Sequence, residues 1–378
     1  MVGLLKCTCV GFINALVAIN SRPADKMIIA FSRFSFTRLY RSFHFFNSFG
    51  SRKHYISNIG ILFFVCYFSN QIFAQEKRYT FERGLMGSPF RIIIYSDNDS
   101  TANKAAQSAF KRIEDLNLAL SDYRDDSEIN AVSAQSGTDK WIHVSKDLFY
   151  ILIISDDISK KTNGAFDATL GPIVQEWRRA TRKGYFPDSV LIKDVLSRTG
   201  YQKIKFDIST QSIQLKEKGM RLDIGGLGKG YAADEAVKVL KSFGIKSGMI
   251  DAGGKLALMD SPPGEKGWKI VISSGRDSIE TIEYSNVGMA TSGPTYRYLE
   301  YNGKRYSHIV DPKTGIGLLY HVRTTVISPT SVEADALATA FSVSGIKEGK
   351  KYIRRFPNNK VWLVETKNAK IKTWNTIK

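Results

Sequence analysis

Asp335 and Thr339 stand four residues apart in Glu333-Ala334-Asp335-Ala336-Leu337-Ala338-Thr339. On a helix that spacing places a carboxylate and a hydroxyl on one face. Two oxygen donors among alanines and a leucine suit a hard cation that keeps oxygen ligands. Acids at a helix start also complement its dipole without any ligand, so the spacing alone leaves both readings open. A second candidate is the glycine loop Asp223-Ile224-Gly225-Gly226-Leu227-Gly228-Lys229-Gly230-Tyr231-Ala232. At a strand-to-helix junction such a loop exposes backbone N–H groups where the helix dipole favours a phosphate. Its spacing is neither GxGxxG nor GxxxxGK[ST], which excludes the nicotinamide-Rossmann and P-loop readings. A tight turn with no ligand fits the same loop equally well. The third candidate is His308, in Ser307-His308-Ile309-Val310-Asp311-Pro312-Lys313-Thr314-Gly315. Imidazole titrates near physiological pH, so His308 could act as a general base or serve as a hydrogen-bonded structural residue. Gly164-Ala165-Phe166-Asp167-Ala168-Thr169-Leu170-Gly171-Pro172, Met86-Gly87 and Ser121-Asp122-Tyr123 add aromatic and carboxylate groups that, singly, read as core or turn.

The elements that must position these groups follow from periodicity. Residues 79–95 alternate around Gly84 and Gly87 and predict a hairpin. Thr101–Leu120 carries apolar residues at Ala102, Ala105, Ala106, Ala109, Ile113, Leu116 and Leu120, an amphipathic helix. Helices are also predicted over Leu148–Ile158, Tyr231–Phe243 (stopped by Gly244) and Val332–Val343. Short strands are expected at Ile204–Asp207, Ile213–Lys216 and Arg221–Ile224. A meander is expected through Met249–Asp251, Lys255–Met259, Lys269–Ser273 and Thr281–Tyr284, with further strands at Val322–Ser328 and Val361–Glu365. Strands and helices cluster rather than alternate strictly, which points to the α+β class.

Charge and composition divide the chain in two. It has 378 residues, a net charge of +18 and three cysteines. Cys7, Cys9 and Cys66 all precede residue 75, as do eight basic side chains against one acid. Arg52 and Lys53, the apolar run Ile59–Phe68 and the terminal Ala74 form the pattern of a secretory signal peptide. The reading is therefore an extension over 1–50 (a misplaced translation start), a signal peptide over 51–74 and one domain over 75–378. Cleavage after Ala74 would leave a chain without cysteine, which suits an oxidising compartment. The remaining +11 is spread among acids with no Arg-rich aromatic patch, which argues against nucleic acid.

Taken in order, these motifs together with Ser127-Glu128-Ile129-Asn130 resemble the ApbE family of FAD:protein FMN transferases. The resemblance runs from about Phe81 to Val364. It implies an α+β flavin-transferase fold, FAD as substrate, Mg²⁺ as cofactor, and passage of FMN to a Ser or Thr hydroxyl of an acceptor protein with release of AMP. Carried over by position, it assigns Met86 and Tyr123 to the flavin or adenine site. Ala165, Phe166, Asp167, Asp223, Lys229 and Val310 become FAD contacts. Gly226 becomes a carbonyl ligand of Mg²⁺, with Asp335 and Thr339 as its side-chain ligands. His308 is the expected base for the acceptor hydroxyl. The acceptor is expected to be a separate protein, a membrane redox subunit. The location is expected to be periplasmic, or attached to the outer face of the inner membrane. An FAD pyrophosphatase and a non-catalytic FAD-binding protein are the alternatives.

Overall fold

The strands β1 (Lys77–Leu85) and β2 (Ser88–Ser96) pair from Lys77↔Ser96 to Leu85↔Ser88. The two residues left between them, Met86 and Gly87, turn with φ +50 and +68. Positive φ at both central positions is the turn that matches the twist of a hairpin. Met86 is therefore held in a left-handed conformation by strand register. This computed structural model describes residues 76–273, 279–293, 298–319, 321–367 and 370–377. The sequence-based extension and signal peptide, 1–50 and 51–74, lie outside the described residues.

Five helices follow the hairpin: α1 (Asp99–Leu120), α2 (Glu128–Ala134), α3 (Lys146–Lys161), α4 (Gly171–Lys183) and α5 (Ser189–Ser197). The short β3 (Ile142–His143) lies between α2 and α3, and joins β5 (Ser212–Leu215) and β4 (Ile204–Asp207) in a small sheet. After α6 (Gly228–Ser242) come β6 (Gly248–Ala252), β7 (Lys255–Leu258), β8 (Trp268–Ser273), β9 (Ile279–Tyr284) and β10 (Gly288–Ser292). The chain then forms β11 (Tyr298–Tyr301), β12 (Lys304–Ser307), β13 (His321–Ser328), α7 (Ser331–Tyr352), β14 (Lys360–Lys367) and β15 (Lys370–Asn375).

The main sheet runs β1-β2-β6-β7-β10-β13-β14-β15, and each neighbouring pair is antiparallel. Strand alternation gives it two apolar faces. Phe90, Ile92 and Ile94 of β2 face the helical side, with Ile250, Val326 and Leu363 from other strands. Ile93, Leu258, Met289 and Ile327 face the other way, against Trp268 of the β8–β9 hairpin. The seven apolar positions named for the first helix are all buried in α1. Fully burying Ile113, Leu116 and Leu120 stabilises by about 1.5–3 kcal/mol each. A separate cluster joins Ile173 and Trp177 of α4, Ile192 and Val195 of α5, and Leu299 and Tyr306 of the β11–β12 hairpin. The fold class is α+β, as the clustering of elements indicated.

Two expectations need correction. Arg221–Ile224 is not a strand. Arg221 makes one isolated parallel bridge to Leu170, and the chain then bends into the glycine loop. The backbone bonds of this stretch go to the loop before α4: Gly171 N–H donates to Arg221 O and Asp223 N–H to Ala168 O, 3.2 and 2.7 Å. The expected meander also divides: among the described residues β8 and β9 pair only with each other, while β7 pairs with β10. α6 begins three residues earlier than periodicity suggested, at Gly228. α7 extends nine residues past Val343, across a break at Gly345 (φ +65, ψ −174).

Helices α6 and α7 cap one another. Asp234, in α6, accepts from Ser331 N–H and Val332 N–H of α7 at 2.9 and 2.8 Å. Asp335, in α7, accepts from Gly230 N–H of α6 at 3.1 Å. First-turn amides have no intrahelical partner, so each carboxylate satisfies donors that burial would otherwise strand. Arg112 of α1 fixes the other side of α6 by bridging Asp147 of α3 and Glu235 of α6, with two contacts at 2.5 Å.

Burial pushes the Asp234 carboxyl up to about 6, against the pull of the two amides. A folded-state value above the unfolded one of about 3.9 makes the ionised form the costly one, so this group's contribution falls as pH rises from about 4 through 6. In thermal melts Asp234→Asn should therefore gain on the wild type across that window, and a difference flat in pH would contradict the assignment. Asp234→Ala removes both acceptors and should cost about 1–3 kcal/mol at neutral pH.

Candidate functional site

The clasped N-termini of α6 and α7 place the glycine loop against Asp335 and Thr339. Gly226 sits so close that an added Cβ would lie 2.9 Å from Phe166 Cε2 and 3.1 Å from Thr339 Oγ1. Gly230 is tighter still, because a Cβ there would meet Ser331 O at 2.3 Å and Asp335 Cβ at 2.9 Å. Glycine at these two positions is a requirement of close approach. Thr339 Oγ1 donates to Asp335 O at 3.2 Å, the helical back-bond of a hydroxyl on the same face. That bond uses its proton and leaves oxygen lone pairs available.

Asp335 is 2% exposed. One carboxylate oxygen, Oδ2, is taken by Gly230 N–H. The other, Oδ1, lies 3.6 Å from Lys255 Nζ, at the start of β7. Lys255 Nζ donates its hydrogen bond to Thr291 O, at 2.7 Å. Neither residue numbering nor periodicity links Lys255 to Asp335. The contact exists because β7 and β10 are neighbours under α7.

The loop amides are mostly committed. Gly225 N–H donates to Asp223 Oδ1 at 2.7 Å, Leu227 N–H and Gly228 N–H to Ile224 O, and Gly230 N–H to Asp335. The amides of Gly226 and Lys229 have no acceptor among the described residues. They stand at the positive end of α6, so an anion meets two directed donors and the dipole. Lys229 is half-buried in the same turn and makes no ion pair among the described residues. Met86 reaches this turn, its Cε 3.7 Å from where a Gly228 Cβ would be.

A second group flanks the loop. Arg178 of α4 is bonded to Asp122 Oδ2 and, at 3.1 Å, to Asp223 Oδ2. Its guanidinium lies 4.3 Å from the ring centroid of Tyr123, which is 68% exposed. An aromatic face backed by a fixed cation is a surface on which a planar ring can stack. Burial and the nearby Asp223 push the Asp122 carboxyl up, against the pull of Arg178. Arg221 joins Asn130 Oδ1 at 2.8 Å and Asp122 O at 3.3 Å, tying α2 to the same group.

Ala165, Phe166 and Asp167 are all buried. Phe166 touches the glycine loop directly. The Asp167 carboxylate accepts from Thr169 N–H (2.7 Å), Thr169 Oγ1 (2.6 Å) and Tyr201 N–H (2.9 Å), so both of its oxygens brace the loop before α4. Burial pushes its carboxyl up despite these bonds. Val310 lies in the α4–α5 apolar cluster, bridged to Gly317. His308 stands exposed in the bend after β12. Asp311 supports its own turn, with Oδ1 accepting from Lys313 N–H at 2.8 Å. The structure thus unites Met86, Phe166, Asp223, Gly226, Lys229, Asp335 and Thr339 around one loop, with Tyr123 joined through Arg178. Val310 and His308 belong to the neighbouring α4–β12 side.

Sequence reading did not single out Lys255, Arg178 or Arg221. Arg178 had a local signal, a basic residue on the helix opened by Gly171-Pro172, but no partner within reach in sequence. Lys255 had only the Gly253-Gly254 turn before it.

The donor set fits a hard divalent cation. Among the described residues no three His, Cys, Asp or Glu side chains converge to hold a metal. The Asp335 carboxylate and the Thr339 hydroxyl are oxygen donors of the kind Mg²⁺ accepts alongside phosphate and water, and the Gly226 backbone lies against Thr339. A Cβ at Gly226 would intrude on this cradle.

Known proteins share this fold, and their sequences match most of this chain. Residues 86–363 match the ApbE family model. An FAD:protein FMN transferase of Treponema pallidum is 28% identical over 303 residues, covering 75% of this chain and 83% of that one. One from Klebsiella pneumoniae is 30% identical over 285 residues, covering 75% and 87%. The solved apo structure of Pseudomonas stutzeri flavinyl transferase ApbE superposes with TM-score 0.71 at 26% identity, covering 80% of this chain and 95% of that one. Matched from the Met86 turn to β14, with the loop, the carboxylate–hydroxyl pair and the fold all in place, the chain belongs to the ApbE family.

Proposed function

We propose that this protein is an FAD:protein FMN transferase that uses a divalent cation to move FMN from FAD onto a Ser or Thr hydroxyl of an acceptor protein, releasing AMP. The observation that carries the reading is the convergence of Gly226, Asp335 and Thr339 beside the open N-terminus of α6. The names of the relatives supply the substrate class.

FAD joins FMN to AMP through a pyrophosphate, and its cleavage needs charge neutralised where negative charge grows. The Gly226 and Lys229 amides, the Lys229 ammonium and the α6 dipole are the chain's own contribution to that. Asp335, Thr339 and the Gly226 carbonyl would hold Mg²⁺, which when bound supplies Lewis-acid polarisation of a phosphoryl oxygen. Tyr123, backed by Arg178, offers a stacking face for one of the planar rings. Phe166, buried, packs against Gly226 and backs the loop. His308 is exposed on the neighbouring side, where it can meet an acceptor hydroxyl and take its proton. The acceptor is proposed to be a membrane redox subunit. The apolar run Ile59–Phe68 supports export, with the folded part periplasmic or held at the outer face of the inner membrane.

The direct test is incubation of the protein with FAD, Mg²⁺ and a candidate acceptor, followed by a denaturing gel. A fluorescent acceptor band is the expected result, lost with EDTA and in Asp335→Asn. Free FMN and AMP with a dark acceptor would instead show a pyrophosphatase. FAD bound without turnover would show a binding protein. His308→Asn should lower transfer by about 10²–10⁴-fold while FAD affinity, read by flavin fluorescence, stays near wild type. Unchanged transfer would remove His308 from the reaction.

A further inference from the structure

Lys255 is the one cation that reaches Asp335 among the described ion pairs, and its side chain is only 12% exposed. The pairing has an unusual form. The ammonium is 3.6 Å from Asp335 Oδ1, too far for a good hydrogen bond, while it bonds Thr291 O at 2.7 Å. The Thr291 hydroxyl is in turn 3.0 Å from Thr325 Oγ1 on β13, and Thr291 N–H donates to Gly254 O. The stem of Lys255 begins in register with Ala290 in the sheet. The positive charge is thus anchored by β10, near Oδ1 but not bonded to it.

The half-buried ion pairs of α6 are made differently. Arg112, for example, meets its carboxylates at 2.5 Å and uses several N–H donors at once. Lys255 neutralises Asp335 through space and leaves the lone pairs of Oδ1 available. Without it, Asp335 would be a buried carboxylate with one backbone donor, which is costly. With it, a second cation arriving at Oδ1 meets a positive charge already fixed within a few ångströms.

We propose that Lys255 is a built-in competitor for the divalent cation at Asp335, setting the metal affinity of the substrate-free protein low. The inference rests on the metal reading of Asp335 and Thr339. An anionic pyrophosphate at the α6 N-terminus would offset the excess positive charge. Metal and dinucleotide then enter cooperatively, each tightening the other by the same factor. A free metal ion alone would occupy the site poorly.

The test is Mn²⁺ titration of the metal-free full chain without FAD, followed by calorimetry, with thermal melts of the same samples. Lys255→Met should bind Mn²⁺ roughly tenfold tighter or more and melt lower than wild type when metal-free. Lys255→Arg, which keeps the charge, should bind near the wild-type value. Lys255→Gln, which keeps a donor for Thr291 O without charge, should resemble Lys255→Met and stands in if that variant does not fold. Equal or weaker Mn²⁺ binding in both neutral variants overturns the proposal. Asp335→Asn separates the two readings. If it abolishes binding while the Lys255 variants change nothing, the role of Lys255 fails and the metal site stands. If Asp335→Asn leaves binding intact, the metal site itself fails and the proposal with it.

Discussion

Two helix N-termini that satisfy each other's amides are the constraint on which the site depends. Asp234 of α6 holds the first turn of α7, and Asp335 of α7 holds the first turn of α6. The geometry requires contact close enough that Gly230 cannot carry a Cβ. Two positive dipole ends are brought side by side, and each is met by a carboxylate of the other helix. The same Asp335 that completes the clasp has its second oxygen 3.6 Å from Lys255 Nζ.

The surrounding layers explain why the clasp holds its place. α7 lies on β10, β13 and β14, while α6 lies on β6 and β7, so adjacent strands of one antiparallel sheet set the helix spacing. The Arg112 network fixes α6 to α1 and α3 from the far side. Arg178 reaches from α4 to the opposite rim of the glycine loop and carries Tyr123 with it. Buried, bridged charges of this kind are modest sources of stability, but breaking one leaves an uncompensated partner, so they fix geometry strongly.

The fold was legible where a pattern repeats locally. α1 shows all seven expected apolar positions buried, and a hairpin within 79–95 was visible from alternation around Gly84 and Gly87. It was illegible where backbone pairing is decided by distant chain. Arg221–Ile224 has the composition of a strand, yet its hydrogen bonds go to the loop at Ala168 and Gly171, and no strand forms. β7 pairs with β10 rather than β8, a choice that no local propensity records. The extra turns of α7 beyond Gly345 are likewise set by packing on β14.

The sequence by itself determined the chemical inventory: a carboxylate and hydroxyl four apart, a glycine loop at a helix start, and an isolated histidine in a polar turn. Those depend on spacing along one element, which the chain fixes covalently. Only the tertiary structure decided which groups face one another. It set Gly226 against Thr339 and made Asp167 a brace of the loop before α4. It also brought Lys255, eighty residues before Asp335 in the chain, within 3.6 Å of its free oxygen. Such contacts arise from sheet order, and sheet order is settled by burying both faces at once rather than by any single segment.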